Sequence, residues 1–221
     1  MVAHARSAED AEDVAAELTA LGRRAHICGG DLADPDTARQ LLQCCPAAPT
    51  LLVNCASLFD ADELGTLTAN GLDAAYAVNL RTPVLLAQAF AEGLPPERHG
   101  LIVNILDQRV WRLNPLFFSY TLTKSALWTA TRTLAQALAP RIRVNAVGPG
   151  PTLQSNHQTP ETFAAEAAAT PLGAPVDPRE IGRAVTYLID APSVTGVMIA
   201  VDGGQHLAWR TPDVTSGAAG D

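Results

Sequence analysis

Short apolar runs alternate with longer amphipathic stretches along this chain, and few folds accept that pattern. The runs are MVAHA, RAHIC, TLLVNCAS, GLIVNIL, IRVNAVGPG and GVMIAVDGG. Between them lie stretches of helical period. Val14, Ala15, Leu18 and Leu21 share one face of a helix that Gly22 stops. Ser7, with Asp10 three residues on, has the spacing of a cap for that helix. DTARQLLQCC, the span from about Asn70 to Glu92, SYTLTKSALWTATRTLAQALA and PREIGRAVTYLID continue the series. Strands that alternate with helices predict an α/β fold, a parallel sheet with helices on both faces. TLLVNCAS is apolar without interruption, which predicts a strand buried on both faces. His4 is expected to be a strand residue and not a ligand.

Bulk properties exclude several function classes. At 221 residues and 48% hydrophobic, the chain suits one domain, spanning 1–221 with a small-polar tail from about 207 to 221. A net charge of -8 argues against nucleic acid or an anionic membrane surface as a partner. No apolar run approaches the roughly 20 residues of a membrane span. The opening MVAHARSAED lacks the apolar core of a secretory signal. Cys28, Cys44, Cys45 and Cys55 suggest neither a disulfide framework nor a metal site. Reduced thiols and a cytoplasmic location are expected, with Cys55 as a packing residue.

In parallel α/β sheets, ligands bind at the carboxyl ends of the strands. Asp31, Asn54, Asp107 and the segment from Gly148 to Thr152 all follow apolar runs. Tyr120 and Lys124 are four residues apart and share one helical face. An ammonium near a phenol stabilises the phenolate, so this pairing predicts a lowered tyrosine pKa and an acid–base role. Asp107 stands thirteen residues before the tyrosine. A carboxylate beside a phenol can relay a proton from water.

With these motifs in order, the chain resembles a short-chain dehydrogenase/reductase over most of its length. GGDL, NCAS, AVNL, the Tyr120–Lys124 pair, VNAVGPGPT and VDGG fall where that family has its signatures. The resemblance implies a Rossmann-like doubly wound parallel sheet and a nicotinamide cofactor. It places Asp31 and Leu32 at the adenine and retains Asn54 and Ala56 of the family's N-N-A-G. It makes Asn79 the anchor of a water in a proton relay, and sets Pro149, Gly150 and Thr152 along the nicotinamide. Arg6 and Ser7 follow the first strand, where a guanidinium suits the 2′-phosphate of NADPH.

Two departures narrow the likeness. Asp107 replaces the family's usual serine, and Ser57 replaces the glycine of N-N-A-G, with Phe59 two residues on. Both are similar to the pteridine reductase branch, including dihydromonapterin and dihydrofolate reductase-like members. That branch implies Asp107, Tyr120, Lys124 and Asn79 as catalytic, and Ser57 and Phe59 as contacts of a pterin or folate. It implies a homotetramer, with Arg210 a candidate to reach a neighbour's site.

The family's fold opens with a strand and a Gly-rich turn that holds the cofactor pyrophosphate. No such turn precedes the first helix here, so the first strand and turn are expected to be missing and the domain N-terminally incomplete. Two explanations stay open: a start some 30 residues upstream, or an inactive relative. The rival functions are a general carbonyl reductase and a non-catalytic assembly protein.

Overall fold

The computed structural model describes residues 1–7 and 9–209. Six parallel strands and seven α-helices alternate among them, as the apolar runs require. They are β1 (Val2–Ala5), α1 (Glu12–Ala20), β2 (His26–Gly29), α2 (Thr37–Gln43), β3 (Leu51–Asn54), α3 (Ala69–Tyr76), α4 (Thr82–Gly93), β4 (Gly100–Ile105), α5 (Phe118–Leu138), β5 (Ile142–Pro149), α6 (Pro160–Ala168), α7 (Pro178–Asp190) and β6 (Met198–Val201). Helix α6 has no counterpart in the expected elements; Thr159 and Thr162 open it with a capping box, and Pro160 fits its first turn.

The central strands carry opposite rows of side chains, and each row meets its own helices. Ile102, Ile142 and Val144 pack against Phe90 of α4 and Ala135 of α5. Leu101, Val103 and Val147 point the other way, onto Ala184 and Leu188 of α7. That two-sided burial explains why β4 and β5 lack polar alternation. Ile102, Val103, Val144 and Val147 are fully buried, and each contributes roughly 1.5–3 kcal/mol of transfer free energy.

The sheet is split. Strands β3-β4-β5-β6 form one sheet in that order, and β1-β2 form another. No described strand joins β1 to β3, so each keeps an unpaired edge. This overturns the expectation that β3 is buried on both faces: Leu51 is 37% and Val53 39% exposed. It also strips helix α1, none of whose residues is buried, and Val14 and Leu21 lie in solvent. An apolar period selects the helix and its face, but only a neighbouring layer can cover that face.

The expected long helix from Asn70 to Glu92 is one rod with an insertion. A π-helical turn, Ala77–Arg81, separates α3 from α4. Such turns add one residue to the helical repeat and often mark functional positions; here the turn carries Asn79. The Ser7–Asp10 pair forms its reciprocal hydrogen bonds, but it opens a 3-10 turn (Glu9–Ala11), while α1 itself begins after Ala11 without a side-chain cap.

Candidate active site

The carboxyl ends of β3, β4 and β5 open into a cavity of about 570 Å³, within the range of small-molecule sites. Helix α5 brings Tyr120 and Lys124 to its wall, and Asp107 follows β4. The Tyr120 hydroxyl donates to Asp107 Oδ2 at 2.9 Å. The other carboxylate oxygen accepts the backbone N–H of Arg109 at 2.8 Å and caps a 3-10 turn, Gln108–Val110. That cap fixes the carboxylate; 22% of its side chain remains exposed.

The electrostatics reverse one sequence expectation. Tyr120 is held well above the ordinary tyrosine range, first by burial and then by the neighbouring Asp107 charge. Lys124 does not bring it down. The Lys124 ammonium donates to the Ile105 carbonyl at 2.8 Å and lies 5.5 Å from the Tyr120 ring centroid. Burial pushes Lys124 itself down to about 8, against the pull of Asp107. Asp107 is raised by burial, with the Arg109 N–H and charge opposing. The spacing of Tyr120 and Lys124 is as expected; their desolvation outweighs their coupling.

An aromatic cluster closes the other side. Phe59 stacks on Phe117 with centroids 4.1 Å apart and planes 6° from parallel. It also lies edge-to-face with Tyr120, centroids 4.6 Å apart and planes at 74°. His157 sits edge-on to both phenylalanines, and its Nε2 lies 2.9 Å from the Phe59 carbonyl oxygen. Phe117 adopts a left-handed backbone, φ 53° and ψ 55°, which costs an ordinary residue roughly 1–2 kcal/mol. Strain of that kind gathers at ligand sites, and here it turns the ring onto Phe59 just before α5 begins.

Asn79 organises this wall. Its carbonyl oxygen accepts from Ser57 Oγ at 3.1 Å and from the Leu58 N–H at 2.7 Å. Its amide donates to the Leu58 carbonyl at 2.9 Å and to Thr123 Oγ1 at 3.1 Å. The side chain is thereby saturated and has no capacity left to hold a water. These bonds let the side chain position the Ser57–Phe59 loop.

The remaining expected residues divide between cavity and scaffold. Pro149, Gly150, Thr152, Ser57 and Cys55 line the cavity. Gly150 is required by packing, since a Cβ there would lie 2.7 Å from Asp202 Cα. Thr152 Oγ1 donates to the Gly150 carbonyl at 2.9 Å. Asn54 is instead buried at the strand end, donating to Asn104 Oδ1 at 2.8 Å. Leu32 packs with Cys28, Ala38 and Leu41, and its carbonyl accepts from Thr82 Oγ1 at 2.7 Å. Asp31 Oδ1 accepts the Ala33 N–H at 2.8 Å, and Arg81 donates to the Ala33 carbonyl. Ala56 and Arg6 are exposed. Ser7 Oγ donates to Asp10 at 2.9 Å, so its hydroxyl proton is already engaged. His4 bonds the Gly30 carbonyl at 2.8 Å, as a strand residue would. Cys55 is not a packing residue: it is exposed, and its neighbour across the cavity is Lys124. Arg210 lies outside the described residues.

The residues present fit the nicotinamide end of a dinucleotide. Lys124 Nζ carries three protons, has one protein acceptor and lines the cavity. Ribose hydroxyls suit the other two. Arg6, Ser7 and Asp31 stand at the ends of β1 and β2, at the site implied for the adenosine end.

Several cavity residues escaped the sequence reading. Arg109, Gln108, Phe117 and His157 line it, yet each lies outside the strands and α-helices, where no periodicity marks a site. Glu166 of α6 accepts from Gln158 at 2.6 Å and from Gln205 at 3.0 Å, tying the 151–159 loop to the end of β6.

Comparison with known proteins places this geometry. Residues 1–206 match the family model described as Enoyl-(Acyl carrier protein) reductase. The FolM alternative dihydrofolate reductase 1 of Brucella canis, solved with NADP, is 49% identical, with a TM-score of 0.90 over 96% of this chain and 86% of that one. The Brucella suis protein of the same name, also with NADP, is 50% identical, with a TM-score of 0.90 over 96% and 87%. A dihydromonapterin reductase of Shigella boydii is 30% identical over 154 residues, 69% of this chain and 64% of that protein.

Proposed function

The chain belongs to the short-chain dehydrogenase/reductase family, and from that premise we propose an NADPH-dependent reductase of a pteridine ring, a dihydropterin or dihydrofolate. One observation carries the reading: Asp107 Oδ2 accepts the Tyr120 hydroxyl at 2.9 Å, beside a phenylalanine whose ring centroid is 4.6 Å from that of the tyrosine. Reductases of this kind with bound NADP, and a dihydromonapterin reductase, are similar to the chain.

NADPH, when bound, supplies the hydride. The protein must then deliver a proton to the adjacent ring nitrogen. Both groups of the Asp107–Tyr120 pair are held on the protonated side of their ordinary behaviour. The Tyr120 hydroxyl therefore holds its proton, with Asp107 as its acceptor. One proton passes: Tyr120 hands its hydroxyl proton to the ring nitrogen, and Asp107, which accepts from that hydroxyl and is partly exposed, relays the replacement from solvent. Lys124 holds the nicotinamide ribose. Phe59 and Phe117 give a flat heterocycle a stacking surface, worth about 0.5–1.5 kcal/mol per aromatic contact beyond burial. Ser57 lines the same wall, set by Asn79.

Arg6 and Ser7 are assigned to the 2′-phosphate, and Asp31, Leu32, Asn54 and Ala56 to the adenosine side. For Asn54 and Leu32 that contact runs through backbone, since their side chains are packed. Residues 1–221 are read as one such domain, cytoplasmic and homotetrameric; exposed Tyr76 on α3 and Leu122 on α5 support association. No helix among the described residues is long and apolar enough to cross a membrane.

The test is NADPH oxidation, followed optically, with 7,8-dihydropterins and dihydrofolate. Turnover of these above simple ketones supports the proposal. Turnover of ketones alone would make the protein a carbonyl reductase.

A further inference from the structure

Arg109 stands where proton delivery needs no cation. Its side chain is 15% exposed, and its Nε lies 4.0 Å from Asp107 Oδ1. Its guanidinium carbon is 5.2 Å from the Phe117 centroid and 5.9 Å from that of Phe59. Among the described residues no hydrogen bond satisfies its five N–H donors. Asp107 cannot do so, because 4.0 Å exceeds hydrogen-bond length. Both carboxylate oxygens already have donors, the Arg109 backbone N–H and the Tyr120 hydroxyl. Gln108 beside it is 4% exposed, lines the same cavity and has an amide oxygen with no partner. Gln108 and Arg109 thus present unsatisfied polar groups along one edge of the stacking surface.

A donor fork there selects an acceptor on the edge of the bound ring, not on its face. In a 4-oxo pteridine the oxygen shares an edge with N5, the atom that gains a proton when hydride reaches C6 of a 7,8-dihydro ring. An oxygen on Arg109 therefore brings N5 toward the Asp107–Tyr120 pair, two residues away in the same turn. We propose that Arg109 is a substrate-positioning residue that binds the 4-oxo oxygen and selects 4-oxo over 4-amino pteridines. This rests on the pteridine reading above. A 4-amino group offers donors to a donor-only guanidinium and gains nothing from it.

The experiment compares wild type, Arg109→Met and Arg109→Lys, each checked for folding by circular dichroism. Calorimetric titration of the NADP-loaded proteins with 7,8-dihydropterin and with 2,4-diaminopteridine reads the selectivity, and NADPH oxidation reads turnover. Arg109→Met is expected to weaken the oxo ligand roughly 10- to 100-fold, leave the diamino ligand within about threefold, and raise KM more than it lowers kcat. Arg109→Lys should restore part of the loss. Equal loss for both ligands, or none, would overturn the proposal while turnover of dihydropterin kept the reductase reading intact. Selectivity that vanished in Arg109→Met without wild-type turnover would keep the proposal and sink the reductase reading. A wild type that binds neither ligand would end both.

Discussion

The two sheets of this protein obey the same sequence pattern and reach different packing. Strands β4 and β5 are buried almost throughout, and α5 beside them buries eight residues, Tyr120 and Lys124 included. Strands β1 and β2 bury one residue between them, Cys28, and α1 buries none. The dense region holds the groups assigned to chemistry. The sparse region holds those assigned to the adenosine end of the cofactor. Acid–base chemistry needs desolvated, fixed groups, and these come from two-sided burial. Among the described residues the sparse half has an unpaired strand edge and no layer over its helix, which leaves its apolar surface exposed.

Breaking the chemistry gives the largest effect. Tyr120→Phe and Asp107→Asn are each expected to lower kcat by about 100- to 10,000-fold, with thermal stability little changed. Steady-state rates and melting curves measure both. A loss under tenfold would make the dense region a scaffold and move the chemistry elsewhere.

Next comes the packing contrast itself. Ile142→Ala removes a fully buried side chain between α4 and α5 and should cost about 2–5 kcal/mol in urea titration. Leu51→Ala, on the unpaired edge of β3, should cost about 1 kcal/mol or less. Equal costs would show that the edge is covered in solution and erase the contrast.

The smallest effect sharpens it through pH. Lys124 has a native pKa of about 8 against an ordinary 10.5. Between pH 8 and 9 the unfolded chain binds more protons at Lys124, so stability rises with pH; above pH 9 the Cys28 thiol, pushed up by burial to about 12, opposes the rise. Below pH 8 the burial penalty is fully present. Lys124→Met should remove the rise and stabilise the cofactor-free protein at pH 7. Urea midpoints at pH 7, 8, 9 and 10 test this; a flat wild-type profile would contradict a dry ammonium.

Much of the site was legible because its residues sit at strand ends or on one regular helix. Asp107 after β4 and the Tyr120–Lys124 spacing on α5 follow from local periodicity, and the structure brings them into one cavity. Phe117, His157 and Arg109 were not legible, since their approach depends on loops meeting across the cavity. The roles of Asn54 and Asn79 were half legible. Each is polar where polarity is unusual, but only the fold shows their amides turned to other protein groups.

The sequence by itself determined the order of elements, the parallel α/β class and the strand ends where chemistry collects, because these rest on short apolar runs and a period of 3.6 residues within short windows. Tertiary structure decided the split between β1 and β3, the wet face of α1, the saturation of Asn79 and the direction in which Tyr120 and Lys124 titrate. Those depend on which neighbours cover a group and exclude water from it, and such neighbours lie far along the chain.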